Sequence, residues 1–250
     1  MSRPLEGKRV LVTRAAEDCA ELEELLRERG AAPVRMPCIA FEDAPDAADV
    51  GRAMEKADLV VVSSPHAARR LRALCPDLAR RPLAAVGDAT AKELHAGADS
   101  AGRVRVPKSG GGAQALVEEL GSSIQGKRVF VPRAERGTPA LTAGLRAAGA
   151  VVQEFVLYKT IVPRSADPAI VRDLHAGFVH LITFLSGSAV RGFVQLVGAH
   201  SGVRGGVACL GASAREEAIA AGFRPVFCGR GEGLSELCDG LALAVTAGNA

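Results

Sequence analysis

The sequence predicts an α/β protein of two similar parallel-sheet, three-layer domains from an internal duplication, with a cleft between them. Three observations carry this. Gly7-Lys8-Arg9-Val10-Leu11-Val12-Thr13-Arg14 returns 119 residues later as Gly126-Lys127-Arg128-Val129-Phe130-Val131-Pro132-Arg133. Two further blocks return in the same order: Leu59 to Arg69 as Leu181 to Arg191, and Ala84 to Ala91 as Ala208 to Arg215. Short β-branched runs alternate with helical patterns in both copies, an order that right-handed crossovers turn into parallel sheets.

The first copy reads as strands at Arg9 to Thr13, Val34 to Phe41, Leu59 to Ser63, Leu83 to Val86 and Arg103 to Val106. Between the first two lies a helix over Ala20 to Arg29, because Leu22, Leu25 and Leu26 share one face. The pair Arg29-Gly30-Ala31 and Ala148-Gly149-Ala150 keeps that helix the same length in the second copy. There the strands read Val129 to Val131, Val151 to Thr160, Leu181 to Leu185, Val207 to Leu210 and Pro225 to Cys228. Val34 to Phe41 and Val151 to Thr160 are long enough to cross between domains. Hinge-like segments follow them at Asp43 to Asp49 and Pro163 to Pro168.

With 250 residues, 48% of them apolar, the chain can build two cores. Its net charge of +3, single tyrosine and lack of tryptophan argue against a nucleic-acid partner, which needs a basic surface and stacking platforms. The six cysteines are scattered, with no C-x-x-C pair, so no metal site is expected and the thiols read as small core residues. No apolar run is long enough to span a membrane and the first residues are too polar for a signal peptide, so the expected location is the cytoplasm.

In open parallel sheets, ligands bind beyond the carboxyl ends of the strands. Those positions here are small, hydroxylated or glycine-rich: Thr13-Arg14, Ser63-Ser64-Pro65, Gly87 to Thr90, Ser109 to Gly112, Ser186 to Ser188, Gly211 to Ser213 and Gly229 to Gly233. Helix N-termini at such places favour anions. Ser64, Thr90, Ser186 and Ser213 are also what N-caps require, and both readings stay open. Ser109 to Gly112 lacks the Gly-Lys-Ser/Thr ending of a phosphate loop, which argues against nucleotide binding. His66, just past a strand end, reads as a surface helix residue. Arg14 and Arg133 close matching strands, where each can meet a carboxylate.

These residues resemble the uroporphyrinogen-III synthase family. The likeness rests on Val12-Thr13-Arg14, Ser63-Ser64-Pro65, Val86 to Ala91, Lys127 to Arg133, Val156-Leu157-Tyr158-Lys159-Thr160 and Ser186 to Arg191, and covers nearly the whole chain. It implies two α/β domains joined by a two-stranded connector. One takes residues 1–38 and 165–250, the other 43–157, with connectors at 39–42 and 158–164. It further implies cyclisation of hydroxymethylbilane, a linear tetrapyrrole, with loss of water and inversion of the last pyrrole ring through a spiro intermediate, without metal or organic cofactor.

By the same resemblance Tyr158 is the proton donor to the leaving hydroxyl; a phenol with an ordinary pKa near 10 suits an acid. Thr13, Arg14, Ser63, Ser64, Thr90, Arg133, Ser186, Ser188 and Ser213 would hold the substrate's carboxylates. The chain departs from the family where Leu185-Ser186-Gly187-Ser188 replaces Thr-Ser-Pro-Ser, and where Gly211-Ala212-Ser213-Ala214 replaces Gly-Pro-x-Thr. The leading expectation is thus a cytoplasmic, monomeric synthase. The alternatives are a non-catalytic tetrapyrrole-binding protein on the same fold and a two-lobed binder of small anions.

Overall fold

The computed structural model describes residues 3–95, 104–108, 111–137, 139–198, 206–231 and 233–248. Arg103, Ser109, Gly110 and Glu232, named above in strand or loop segments, lie outside the described residues. The chain runs β1 Arg9–Val12, α1 Cys19–Glu28, β2 Ala32–Arg35, β3 Ala40–Asp43, α2 Val50–Ala53, β4 Leu59–Val62, α3 Pro65–Leu74, β5 Leu83–Ala85 and α4 Asp88–His95. It continues α5 Ala113–Leu120, β6 Arg128–Ala134, α6 Ala140–Ala147, β7 Val151–Ile161, α7 Pro168–His175, β8 Leu181–Phe184 and α8 Gly187–Val197. It ends β9 Gly206–Cys209, α9 Ala212–Ala220, β10 Pro225–Cys228 and α10 Leu234–Thr246. Packing divides it into Met1–Phe41 with Ile161–Ala250, and Glu42–Thr160.

The first unit holds a sheet of order β10-β9-β8-β1-β2 with every pairing parallel. Its central strands are buried on both faces, which is why they read as unbroken apolar runs. Period-two alternation then divides their side chains. Val10, Val12 and Leu181 pack with Leu22 and Leu26 of α1 and Leu237 and Leu241 of α10. Leu11, Ile182 and Phe184 turn to the opposite face, against Val190 and Phe193 of α8 and Leu174 of α7. Each fully buried leucine contributes at most about 1.5–3 kcal/mol.

Glycine sets how closely α8 can lie: a Cβ on Gly192 would land on the Cys38 carbonyl. On the other face, Glu23 of α1 is buried and accepts from Arg35 Nε (2.6 Å) and Nη2 (2.8 Å) and from Arg27 (3.1 Å). These bonds, the Arg35 one foremost, hold its carboxyl below the usual range despite the opposing cost of desolvation.

The second unit holds a sheet of order β3-β7-β6-β4-β5, with β7-β6, β6-β4 and β4-β5 parallel. Leu59, Val61, Val129 and Val131 share a core with Leu116 and Leu120 of α5 and Leu141 and Leu145 of α6. Helix α3 packs against β6 and α4. Asp58 and Arg128 tie β4 to β6 where both begin. The Asp58 amide donates to the Arg128 carbonyl (2.8 Å), and the Arg128 amide and guanidinium donate back to the Asp58 carboxylate at 2.8–3.2 Å. The two sheets share one plan: β9-β8-β1-β2 matches β5-β4-β6-β7 when the repeated sequence blocks are superposed.

Three strand expectations are corrected. Val34 to Phe41 is not one strand but parts of two, β2 and β3, separated by Met36-Pro37-Cys38-Ile39. Pro37 has no amide to donate, and the side chains of Met36 and Cys38 turn into the core. The segment ending at Val106 contributes only a single bridge, Arg105 to Ala84, with Pro107 following at once. Conversely, Val129 to Val131 extends to Ala134 through Pro132. The missing donor is tolerated there because β4 pairs with β6 only at Val129 and Phe130.

Candidate functional site

Strand β4 delivers Ser63 and Ser64 at its carboxyl end. Ser64 is extended (φ −154°, ψ 151°) and caps α3, its Oγ accepting from the Ala67 amide at 3.1 Å, while Pro65 takes the first helical position. Two strands across the sheet, Tyr158 of β7 places its hydroxyl 3.2 Å from Ser64 Oγ. The phenol is 6% exposed. Beside it, the His66 ring stands edge-on, with centroids 4.5 Å apart and planes at 69°.

Ser63, Ser64 and Tyr158 border a recess of about 420 Å³. Val86, Val131 and Leu141 give it apolar walls; Ser63, Ser64, Arg133, Arg136, Thr142 and Tyr158 are its polar side chains. The arginines differ. Arg133 Nε lies 2.7 Å from Glu154, and its Nη1 donates to the carbonyls of Ala134 (2.9 Å) and Glu135 (2.8 Å). Glu154 is itself held below the usual carboxylate range, first by Arg146 and also by Arg133. Arg136 is exposed and makes no ion pair among the described residues. The arrangement can admit an apolar ring, meet an anionic substituent with Arg136, and present a phenol and a serine hydroxyl as a hydrogen-bonded pair.

The structure thus brings Ser63, Ser64, Arg133 and Tyr158 around one recess. Thr90 does not join them: it is buried within α4 and is absent from the lining. In the first unit, Ser186 caps α8 by accepting from the Ala189 amide (3.2 Å), and its hydroxyl lies 2.9 Å from that of Ser188. Thr13 lies inside the sheet. It is fully buried and its hydroxyl donates to the Thr183 carbonyl at 2.6 Å. Arg14 is half-buried. Ser213 is exposed while its neighbour Ala214, at the place equivalent to Thr90, is buried, so Ser213 does not take over that position.

His66 is a correction. It is buried against Tyr158 instead of lying on the surface, because β7 and α3 meet only once the sheet is assembled. Arg136 and Thr183 escaped the sequence reading altogether, for neither closes a repeated block. The departure at Gly187 has a local reason: a Cβ there would stand 2.7 Å from Glu217 Cγ and 3.1 Å from the Ser213 carbonyl, where α8 meets α9. Among the described residues no group of three His, Cys, Asp or Glu could hold a metal ion, and no helix is long and apolar enough to cross a membrane.

Residues 20–232 match the family described as Uroporphyrinogen-III synthase HemD. The chain is 30% identical over 213 residues to the uroporphyrinogen-III synthase of Synechococcus elongatus, covering 80% of this chain and 79% of that one. Among solved structures it is similar to uroporphyrinogen-III synthetase from Helicobacter pylori, with a TM-score of 0.64, 18% identity, and 95% and 99% of the two chains covered. It is also similar to uroporphyrinogen III synthase from Thermus thermophilus, with a TM-score of 0.55, 20% identity, and 96% and 99% covered. Those two likenesses speak to the fold; the sequence matches speak to descent, and by them the chain belongs to the uroporphyrinogen-III synthase family.

Proposed function

We propose that the chain is a uroporphyrinogen-III synthase, a cyclising hydro-lyase that closes hydroxymethylbilane with inversion of the last ring and loss of water. The observation that carries this is the Tyr158 phenol, buried at the edge of an apolar recess and in hydrogen-bond reach of Ser64. Departure of the hydroxyl is already driven by the electron-rich pyrrole to which its carbon is attached. A proton delivered from the Tyr158 hydroxyl to the leaving oxygen lets it depart as water. Ser64 can donate to the phenolate oxygen so formed.

The harder task is geometric. The substituted carbon of the last ring must attack before its free end does, which is positioning catalysis. Arg136, Ser63 and the capping serine Ser186 are the groups assigned to the substrate's carboxylates. The same reading has the chain act as a cytoplasmic monomer without a cofactor. Its two halves descend from one duplicated unit, an inference supported by the matching strand orders.

The test supplies hydroxymethylbilane and separates the oxidised isomers: the type III product is expected, and type I alone would overturn the assignment. A non-catalytic tetrapyrrole binder is the second reading, favoured by Ala214 standing where the family pattern has threonine. It predicts saturable binding of the tetrapyrrole without type III product.

A further inference from the structure

We infer that Cys209 and Cys228 are a reversible redox pair, joined as a disulfide when a hydroperoxide reaches Cys228. Strand register makes the pair. β9 and β10 run parallel, each ends on a cysteine, and Cys209 lies directly opposite Cys228. Both side chains enter the core that holds Phe184 and Phe193, whereas their neighbours Ala208 and Phe227 face the other side of the sheet. Cys19 also raises the Cys38 thiol, but those two belong to opposite cores.

Neighbouring strands lie about 4.8 Å apart, within the roughly 4.4–6.8 Å of Cα separation that a disulfide spans. Closing the bond brings the two Cβ atoms to about 3.8 Å, so the strand ends must draw together by about 1 Å. β10 can supply that movement: it is the outer strand of its sheet, and its register against β9 already shifts between Pro225 and Phe227. A disulfide closed against such resistance is readily reduced again.

Exposure sets the order of events. Of the six cysteines only Cys228 is partly exposed. Its thiolate takes one oxygen of hydrogen peroxide and becomes a sulfenic acid; the other oxygen leaves as hydroxide and takes up the proton the thiol released. The Cys209 sulfur then bonds to the sulfenic sulfur, and its proton departs with the sulfenic hydroxyl as water. Two thiols lose two protons and two electrons, and the peroxide becomes two waters. Burial, with the Cys228 sulfur adding to it, pushes the Cys209 thiol up to about 12. Such a thiol is inert toward a dilute oxidant and reacts only with a sulfur held beside it.

The test exposes the reduced, full-length protein to hydrogen peroxide, alkylates it and digests it without reductant. Trypsin cuts after Arg215, between the two cysteines, so their disulfide is read as a linked peptide pair. Expected are loss of two of the six thiols, a peptide pair linking Cys209 to Cys228 as the main product, and return of both thiols with dithiothreitol. Without its partner, the Cys228 sulfenic acid should run on to sulfinic acid, which dithiothreitol does not reverse. Cys209→Ala should therefore accumulate about tenfold more irreversibly oxidised Cys228 than wild type. Three wild-type results overturn the proposal: no such linked pair, a link only between other cysteines, or sulfinic acid at Cys228 as abundant as in Cys209→Ala. Should Cys209→Ala fail to fold, the wild-type peptide map decides alone.

Discussion

Thr13 bonds to Thr183 across neighbouring strands: the Thr13 hydroxyl donates to the Thr183 carbonyl at 2.6 Å, while the Thr183 hydroxyl donates to the Leu11 carbonyl at 2.9 Å. Both residues are fully buried, and together they lace β1 to β8, strands that are some 170 residues apart in the chain. A hydroxyl committed in this way is a stability device. Thr13→Val should lower unfolding free energy by about 1 kcal/mol in urea titrations. KM for hydroxymethylbilane should stay within twofold; a large rise in KM with unchanged stability would return Thr13 to the substrate.

Tyr158→Phe keeps the ring against His66 and removes only the hydroxyl. If that hydroxyl supplies the proton, kcat should fall by roughly 10- to 100-fold, near the low end of general-acid contributions because the pyrrole already assists departure. Steady-state rates with the type III isomer quantified decide the matter. An unchanged kcat removes Tyr158 from the chemistry.

The two recess arginines should separate cleanly. Arg136 has no ion pair among the described residues, so Arg136→Gln should raise KM about tenfold, the loss of one charge-assisted contact, with little change in melting temperature. Arg133 is tethered to Glu154 and to two backbone carbonyls. For Arg133→Gln the expected sign is opposite: stability drops, by under about 1 kcal/mol for so partly exposed a pair, and KM moves less.

Asp58 has a pH signature. The Arg128 side chain and amide lower its pKa from 3.8 to about 2. A carboxylate depressed in the folded state stabilises the fold above the unfolded pKa and loses that contribution as pH falls through the folded one. Urea midpoints of wild type and Asp58→Asn should therefore differ at pH 7, converge between about pH 4 and pH 2, and coincide below. A gap that persists under pH 2 would show that the charge is not its origin.

Gly192 leaves no space for a side chain. Since a Cβ there meets a backbone carbonyl of Cys38 and not the end of a flexible chain, Gly192→Ala must push α8 from the segment after β2. Calorimetry should show a loss of about 1–3 kcal/mol, the usual cost of overpacking, although alanine is the better helix former.

Much of the α/β plan is local and hence legible. Apolar runs such as Leu59 to Val62, the leucine face of α1 and the serine-proline start of α3 are set by side-chain periodicity and capping chemistry within a few residues. Repeated blocks further indicated which strand ends correspond, and so pointed to Ser64, Ser186 and Arg133, whereas Tyr158 came from the family resemblance alone. What the sequence could not determine is which strands pair across more than a hundred residues. Only the tertiary structure joins β1 to β8 and thereby turns the Thr13 hydroxyl inward; only the order β7-β6-β4 carries Tyr158 to the α3 cap and buries His66 against it. The physical reason is that periodicity reports which face of an element is buried, whereas the identity of the neighbour is decided by long-range packing that leaves no mark on either segment alone.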